Sequence, residues 1–283
     1  MQTIRQLDPL RTAVDALRAQ GPVALVPTMG ALHEGHLTLV REARARAASV
    51  VVSIFVNPRQ FGPNEDLARY PRQLEADCAV LETAGASLVW APEVEVMYPQ
   101  GYATSVAVAG PSEGLCGAAR PGHFEGVATV VCKLFNQVRP DLAFFGEKDW
   151  QQLAVIRRMA RDLDLVLPGV DSIHAVATVR ESDGLAMSSR NAYLSAQDRA
   201  RAASLPRLMR EAIAAMRGGE PVDQACAALV RDLLAAGFAS VDYAEVREAD
   251  SLAAVPVLSA TRSRLFVAAR IGGTRLIDNM AVN

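Results

Sequence analysis

The sequence predicts an α/β fold, a doubly wound parallel sheet wrapped by helices, followed by a smaller α+β domain. Three observations carry that expectation. Short apolar runs alternate with amphipathic stretches through the first 170 or so residues, and the runs are rich in β-branched side chains. The candidate chemical motifs each begin where such a run ends, which is where open parallel sheets bind ligands. Beyond residue 180 the pattern changes to Ala-rich helices and then strand-like segments.

Taken in order, Val23–Val26, Val50–Val56, Ser87–Ala91 and Leu142–Phe145 read as short buried strands. Helical spacing is found between and after them, at Leu37–Ala48, Leu74–Ala84, Gly126–Arg139 and Trp150–Leu163. A boundary near Val176–Glu181 gives domains of 1–176 and 177–283. The second is read as two helices, Ser195–Arg217 and Pro221–Ala236, before strands at Val241–Arg247 and Arg264–Ile271. Pro206 and Pro221 mark a helix irregularity or an end.

Composition narrows the function classes. Half the residues are hydrophobic and a fifth charged, an ordinary globular balance, and the net charge of −2 gives no reason to expect nucleic acid or a membrane as partner. No apolar stretch reaches spanning length and Met1–Arg11 has no signal-peptide core. Cys78, Cys116, Cys132 and Cys226 have no paired spacing and read as reduced thiols, so a cytoplasmic protein is expected. Of the 29 basic residues only Lys133 and Lys148 are lysine. Arginine replaces lysine freely on a surface but not where a compact ammonium is needed, so these two are candidates for function. Lys148 sits in a loop. Lys133 falls inside an apolar helical stretch, where outward snorkelling is the plain alternative.

The segment His33-Glu34-Gly35-His36 lies between the first apolar run and a helical pattern. A helix start offers outward N–H groups and a favourable dipole to phosphates, and two imidazoles three residues apart share a face around a glycine without a Cβ. Half a metal site, or polar residues at a helix start, are the competing readings; no Cys/His cluster completes a zinc shell. Neither a Walker loop nor a Gly-x-Gly-x-x-Gly turn is present, so a nucleotide would be held in another way.

Pro27 to His36, Phe55 to Gly62, Arg120 to Val127, Phe144 to Leu153 and Arg180 to Asn191 together resemble the signatures of the pantoate–β-alanine ligase family, in the family's order along nearly the whole chain. The His-x-Gly-His loop is similar to that of Rossmann-like nucleotidyltransferases. The resemblance implies ATP-dependent condensation of pantoate with β-alanine through a pantoyl adenylate, with ATP and Mg²⁺ required. It implies catalytic roles for His33, His36, Lys148, Ser188, Ser189 and Arg190. ATP would be bound by Met29, Gly30, Ala31, Leu32, His33, Glu34, Gly35 and His36, by Gly146, Glu147, Lys148 and Asp149, and by Val179, Met187 and Ser188 to Arg190. Gln60 and Gln152 would bind pantoate, and Gln60 also β-alanine. Asn57 and Tyr70 are weaker candidates, Asp77 is offered as a Mg²⁺ ligand, a homodimer is expected, and the C-terminal domain would act as a lid whose movement Gly184 permits. The Met187 to Arg190 segment is loosely similar to the Lys-Met-Ser-Lys-Ser loop of class I tRNA synthetases, with Ala186 in place of the first lysine. The rivals are a nucleotidyltransferase with a stable nucleotidylated product, a tRNA synthetase, and a catalytically silent nucleotide sensor.

Overall fold

A computed structural model describes every residue except Asn64. Residues cluster by contact into two units. One comprises Met1–Ser112, Arg120–Glu147 and Gln152–Ala177; the other comprises Glu113–Ala119, Lys148–Gln151 and Thr178–Asn283. The second unit thus takes two short pieces from chain that the expected boundary near residue 176 leaves in the first.

The first unit holds six strands, β1 (Gln2–Ile4), β2 (Val23–Thr28), β3 (Ser49–Ile54), β4 (Leu88–Trp90), β5 (Leu142–Gly146) and β6 (Ile173–Val176). They form one sheet in the order β1-β4-β3-β2-β5-β6, and all five pairings are parallel. This is the α/β Rossmann-like sheet that the alternating pattern predicts. Its helices are α1 (Leu7–Arg18), α2 (Glu34–Arg44), α3 (Leu74–Thr83), α4 (Val94–Met97), α5 (Leu115–Ala119, grouped with the second unit), α6 (His123–Val138) and α7 (Trp150–Asp162, whose first two residues are also grouped there). Ala24 and Val26 of β2 bury with Val50, Val52, Leu39, Val40, Ala43 and Leu81, so α2 and α3 cover one face. The helices α1 and α6 pack together and against β2 on the other side. Both faces are therefore sealed, which explains why β2 and β3 read as unbroken apolar runs.

Five of these elements lie outside the sequence expectation: β1, β6, α1, α4 and α5. Strands β1 and β6 carry polar side chains and bury one residue each, whereas the equally short β4 is buried throughout and reads as an apolar run. In α1, Leu10 and Val14 are fully buried, one helical turn apart. Helix α2 begins at Glu34, three residues earlier than the apolar pattern suggests, because its start is set by polar capping rather than by burial.

The second unit has helices α8 (Ala196–Ala202), α9 (Ser204–Arg217) and α10 (Val222–Ala235), and an antiparallel sheet of β7 (Ser240–Glu248), β8 (Ser263–Ile271) and β9 (Thr274–Ala281). The single helix expected over Ser195–Arg217 is two. Pro206 lies in the first turn of α9, where a missing N–H costs nothing, and it could not have donated from the middle of a continuous helix. Strand β9 is a further addition; Gly272 and Gly273, both at positive φ, turn β8 into it. Leu205, Met209, Ile213, Leu229, Leu233, Leu265, Val267 and Leu276 form this unit's core.

Candidate functional site

Reading outward from β2, the sheet order runs through β3 and β4 in one direction and through β5 and β6 in the other. The segments leaving the carboxyl ends of β2 and β5 therefore start at the switch point, where open sheets leave a crevice. After β2, Gly30 and Ala31 adopt consecutive left-handed conformations, φ 81° and 52°. Such a pair turns successive N–H groups toward one point. That point is taken by Asp77 of α3, which is 1% exposed: its two oxygens accept from Ala31 N and Leu32 N, each at 2.9 Å. Gln73 Nε2 donates to the same carboxylate at 3.3 Å. Asp77, expected as a Mg²⁺ ligand, thus has both oxygens on backbone amides and fixes the shape of the loop. A Cβ on Gly30 would lie 2.9 Å from Asp77 Oδ2, so residue 30 must be glycine for a second reason besides its φ.

His33 and His36 are joined through the helix start. His33 is the N-cap of α2 and its Nδ1 accepts from Gly35 N at 3.1 Å; His36 Nδ1 accepts from His33 N at 3.3 Å. This is a capping box in which both side chains are imidazoles. The ring centroids lie 4.1 Å apart. Because each Nδ1 accepts, each ring carries its proton on Nε2, and both present an N–H donor away from the helix backbone. Glu34, the residue between cap and glycine, pairs with Arg41 on the same helix, and that bond holds its carboxyl below the usual range.

Gln60 follows β3 in a short turn, Pro58–Gln60. Its Nε2 is 3.0 Å from Met29 Sδ and its Oε1 accepts from Asn57 Nδ2 at 3.0 Å, which brings two predicted site residues together. Asn57, buried, also donates to Gly126 O at 3.1 Å, while its Oδ1 accepts from Arg59 N at 3.3 Å and Tyr98 OH at 2.9 Å. Its amide is fully committed inside the protein, so Asn57 positions Gln60. The carbonyl of Gln60 accepts from His123 Nδ1 at 2.9 Å and Arg120 Nη2 at 3.2 Å, and Arg120 Nη1 donates to His123 Nε2 at 2.9 Å. Arg120 is itself gripped by Glu65 through two bonds of 2.7 and 2.6 Å. Burial would raise the Glu65 carboxyl, but the Arg120 hydrogen bond and charge hold it below its ordinary value. Tyr70 is buried edge-on to Phe61 and Lys133 sits with its ammonium 4.6 Å from the Tyr102 ring centroid, both structural placements. Gln152 lies half-buried on α7.

Glu147–Asp149 make a tight turn after β5, and Lys148 Nζ, in the second unit, is 3.7 Å from Asp149 Oδ1. The stretch from Val179 folds into a hairpin: Met187 N donates to Val179 O and Glu181 N to Leu185 O. Gly184 closes it at φ 90°, and a Cβ there would meet Arg210 Nη2 at 2.8 Å. The glycine is thus required by the turn and its neighbour. Ser188 caps the 3₁₀ turn Ser189–Tyr193, its Oγ accepting from Arg190 N at 3.3 Å. Residues that sequence reasoning gave no role also matter here. Gln151 is buried and ties Cys116 N, Glu113 O and Gly114 O to the start of α7. Trp150 Nε1 donates to Ala249 O at 2.7 Å, with the Arg264 guanidinium 3.9 Å over its ring.

A parallel sheet with this strand order, and a capped helix start at its switch point, is the architecture of Rossmann-like α/β proteins. The chain belongs to the pantoate–β-alanine ligase family: the family model described as Pantoate-beta-alanine ligase matches residues 2–281. A pantothenate synthetase from Novosphingobium aromaticivorans is 66% identical over 283 residues, covering all of this chain and 99% of that protein. The crystal structure of pantothenate synthetase from Thermus thermophilus superposes with a TM-score of 0.92 at 47% identity, covering 100% of this chain and 99% of that one. The ligase from Francisella tularensis, crystallised with β,γ-ATP and β-alanine, gives 0.83 at 30% identity over 100% and 98% of the two chains.

Among the described residues no helix is long and apolar enough to cross a membrane, and no group of three or more His, Cys, Asp or Glu could hold a metal ion.

Proposed function

We propose that this chain joins pantoate to β-alanine with ATP, releasing diphosphate and then AMP, by way of a pantoyl adenylate. The observation that carries the reading is the family match across the chain, together with the imidazole capping box at the switch point. In the first step a carboxylate oxygen of pantoate attacks the α-phosphorus and the bond to the β-phosphate oxygen breaks. Charge grows on the α-phosphoryl oxygens and on the leaving diphosphate. The Nε2–H donors of His33 and His36, held by their Nδ1 bonds, suit that charge because they need no reorganisation when it forms. Lys148 adds a compact positive charge, and Ser188, Ser189 and Arg190 add donors for the triphosphate.

Gly146, Glu147, Asp149, Val179 and Met187, with Met29 to Leu32, would form the walls of the nucleotide site. Gln60 and Gln152 would receive pantoate through amides that both donate and accept, and Gln60 would also face β-alanine. In the second step the β-alanine amine attacks the acyl carbon, the acyl–phosphate bond breaks, and the amine proton leaves to solvent or to AMP. No covalent enzyme intermediate is required, since the mixed anhydride is already activated. Mg²⁺ would enter with ATP as part of the substrate and would offset charge on the phosphates, while Asp77 already accepts two backbone amides. A homodimer in the cytoplasm completes the reading.

The test is release of AMP and diphosphate from ATP, Mg²⁺ and pantoate, with and without β-alanine. Sustained AMP release only with both acceptors, matched by pantothenate, is expected. Turnover that ignores pantoate would refute it.

A further inference from the structure

Asp278 and Asn279 lie between the apolar pairs Leu276-Ile277 and Met280-Ala281 of β9, and each is only 2% exposed. Burying a carboxylate and an amide side by side is costly unless both are engaged. Successive residues of a strand point to opposite faces, so these two reach opposite sides of the β7-β8-β9 sheet. The register agrees: Asp278 lies opposite Val267, a core residue of the helix-covered face, and Asn279 opposite Phe266.

On one side Asp278 takes the Arg180 guanidinium in a two-pronged pair, 2.6 and 2.9 Å. Arg180 opens the hairpin that leads into Met187 to Arg190, and its Nη1 also donates to Gly184 O at 3.1 Å across that hairpin. On the other side Asn279 Nδ2 donates to the backbone carbonyl of Lys148 at 2.9 Å, and Arg264 Nε donates to Asn279 Oδ1 at 2.7 Å. Arg264 covers Trp150, two residues beyond Lys148. One dipeptide therefore grips both phosphate-directed segments of this unit, whose partners stand 98 and 131 positions away in the chain.

We propose that Asp278 and Asn279 are positioning residues for adenylate formation, a two-sided bracket that sets the spacing between Lys148 and the Ser188 to Arg190 turn. The proposal rests on the roles given above to Lys148 and Arg190. Neither Asp278 nor Asn279 touches substrate in this account; each acts through the segment it holds.

The experiment is pantoate-dependent exchange of labelled diphosphate into ATP, which reads the first step alone. Asn279→Asp is the first variant: it keeps size and the Arg264 acceptor but removes the donor to Lys148 O. Asp278→Asn is the second, and Lys148→Met and the double variant Asn279→Asp/Lys148→Met complete the set. Misplacing a charge by about an ångström costs on the order of 100-fold, so Asn279→Asp should lower the exchange rate about 10- to 100-fold with KM for pantoate within about twofold. Asp278→Asn should do the same, with a raised KM for ATP. In the double variant the Asn279→Asp effect should vanish, because its route runs through Lys148. Exchange unaffected by Asn279→Asp, while Lys148→Met slows it to a lower but measurable rate, would overturn the bracket and leave the site reading standing. Exchange unaffected by Lys148→Met would overturn the site reading and the bracket with it. Multiplying effects in the double variant would assign Asn279 to general stability and overturn the proposal even if single variants lose heat resistance.

Discussion

Gly126 of α6 passes so close to the Pro58–Gln60 turn that a Cβ on it would lie 2.2 Å from the carbonyl oxygen of Arg59. The atom that would be struck is backbone, so no rotamer change relieves it. Gly126 also accepts the Asn57 amide that orients Gln60. Gly126→Ala should therefore cost about 1–3 kcal/mol of stability and raise KM for the acceptor substrates. Denaturant unfolding beside steady-state kinetics checks it; an unchanged KM would detach Gln60 from α6.

The imidazole capping box allows structure and chemistry to be separated. Asparagine is a good N-cap, so His33→Asn should retain melting behaviour, whereas His33→Ala should lose about 1 kcal/mol. Both should lose the Nε2 donor and, as should His36→Ala, slow turnover about 100- to 1000-fold. Normal turnover in His33→Asn would confine His33 to the helix start.

Asp77 is expected to act on the loop rather than on the cation. In Asp77→Asn one of the two backbone N–H groups faces an NH₂, and leaving such a buried donor unmet costs about 1–3 kcal/mol. Turnover should fall with the loop, while the Mg²⁺ concentration for half-maximal activity stays put. A marked rise in that concentration would place the carboxylate on the metal.

The Glu65–Arg120 pair gives a pH signature. The Glu65 carboxyl is held below its ordinary value of 4.5, so its contribution is present above that pH and is lost as pH falls through the lowered folded value. Glu65→Gln should thus destabilise the protein at pH 7 and converge with the parent in strong acid. Parallel pH–stability curves would show that the pair contributes nothing.

Much of this was legible in the chain. Strands β2 to β5 are buried on both faces and announce themselves as apolar runs, and His33, His36, Gln60 and Lys148 stand in recognisable motifs. What was hidden has a physical cause in each case. Strands β1 and β6 bury a single residue each and so show no apolar run, and the capping that starts α2 is polar. Strand β9 has its apolar pattern broken by Asp278 and Asn279, the two residues that hold the loops. Asp77, Asn57 and Gln151 act on partners 35 to 69 positions distant, which no local spacing reveals.

The carbonyl of Lys148 is held from 131 positions later in the chain. During synthesis at about 5–20 residues per second, Asn279 follows Lys148 by roughly 7–26 s. The first unit's sheet has all six of its strands by Val176, long before the lysine acquires its anchor. A nascent chain could thus shelter its parallel sheet early yet remain inert until β9 is delivered. On the proposed bracket, ribosomes that stall or fall off ahead of Thr274 would leave a chain holding all six strands of the parallel sheet and no anchor for its lysine.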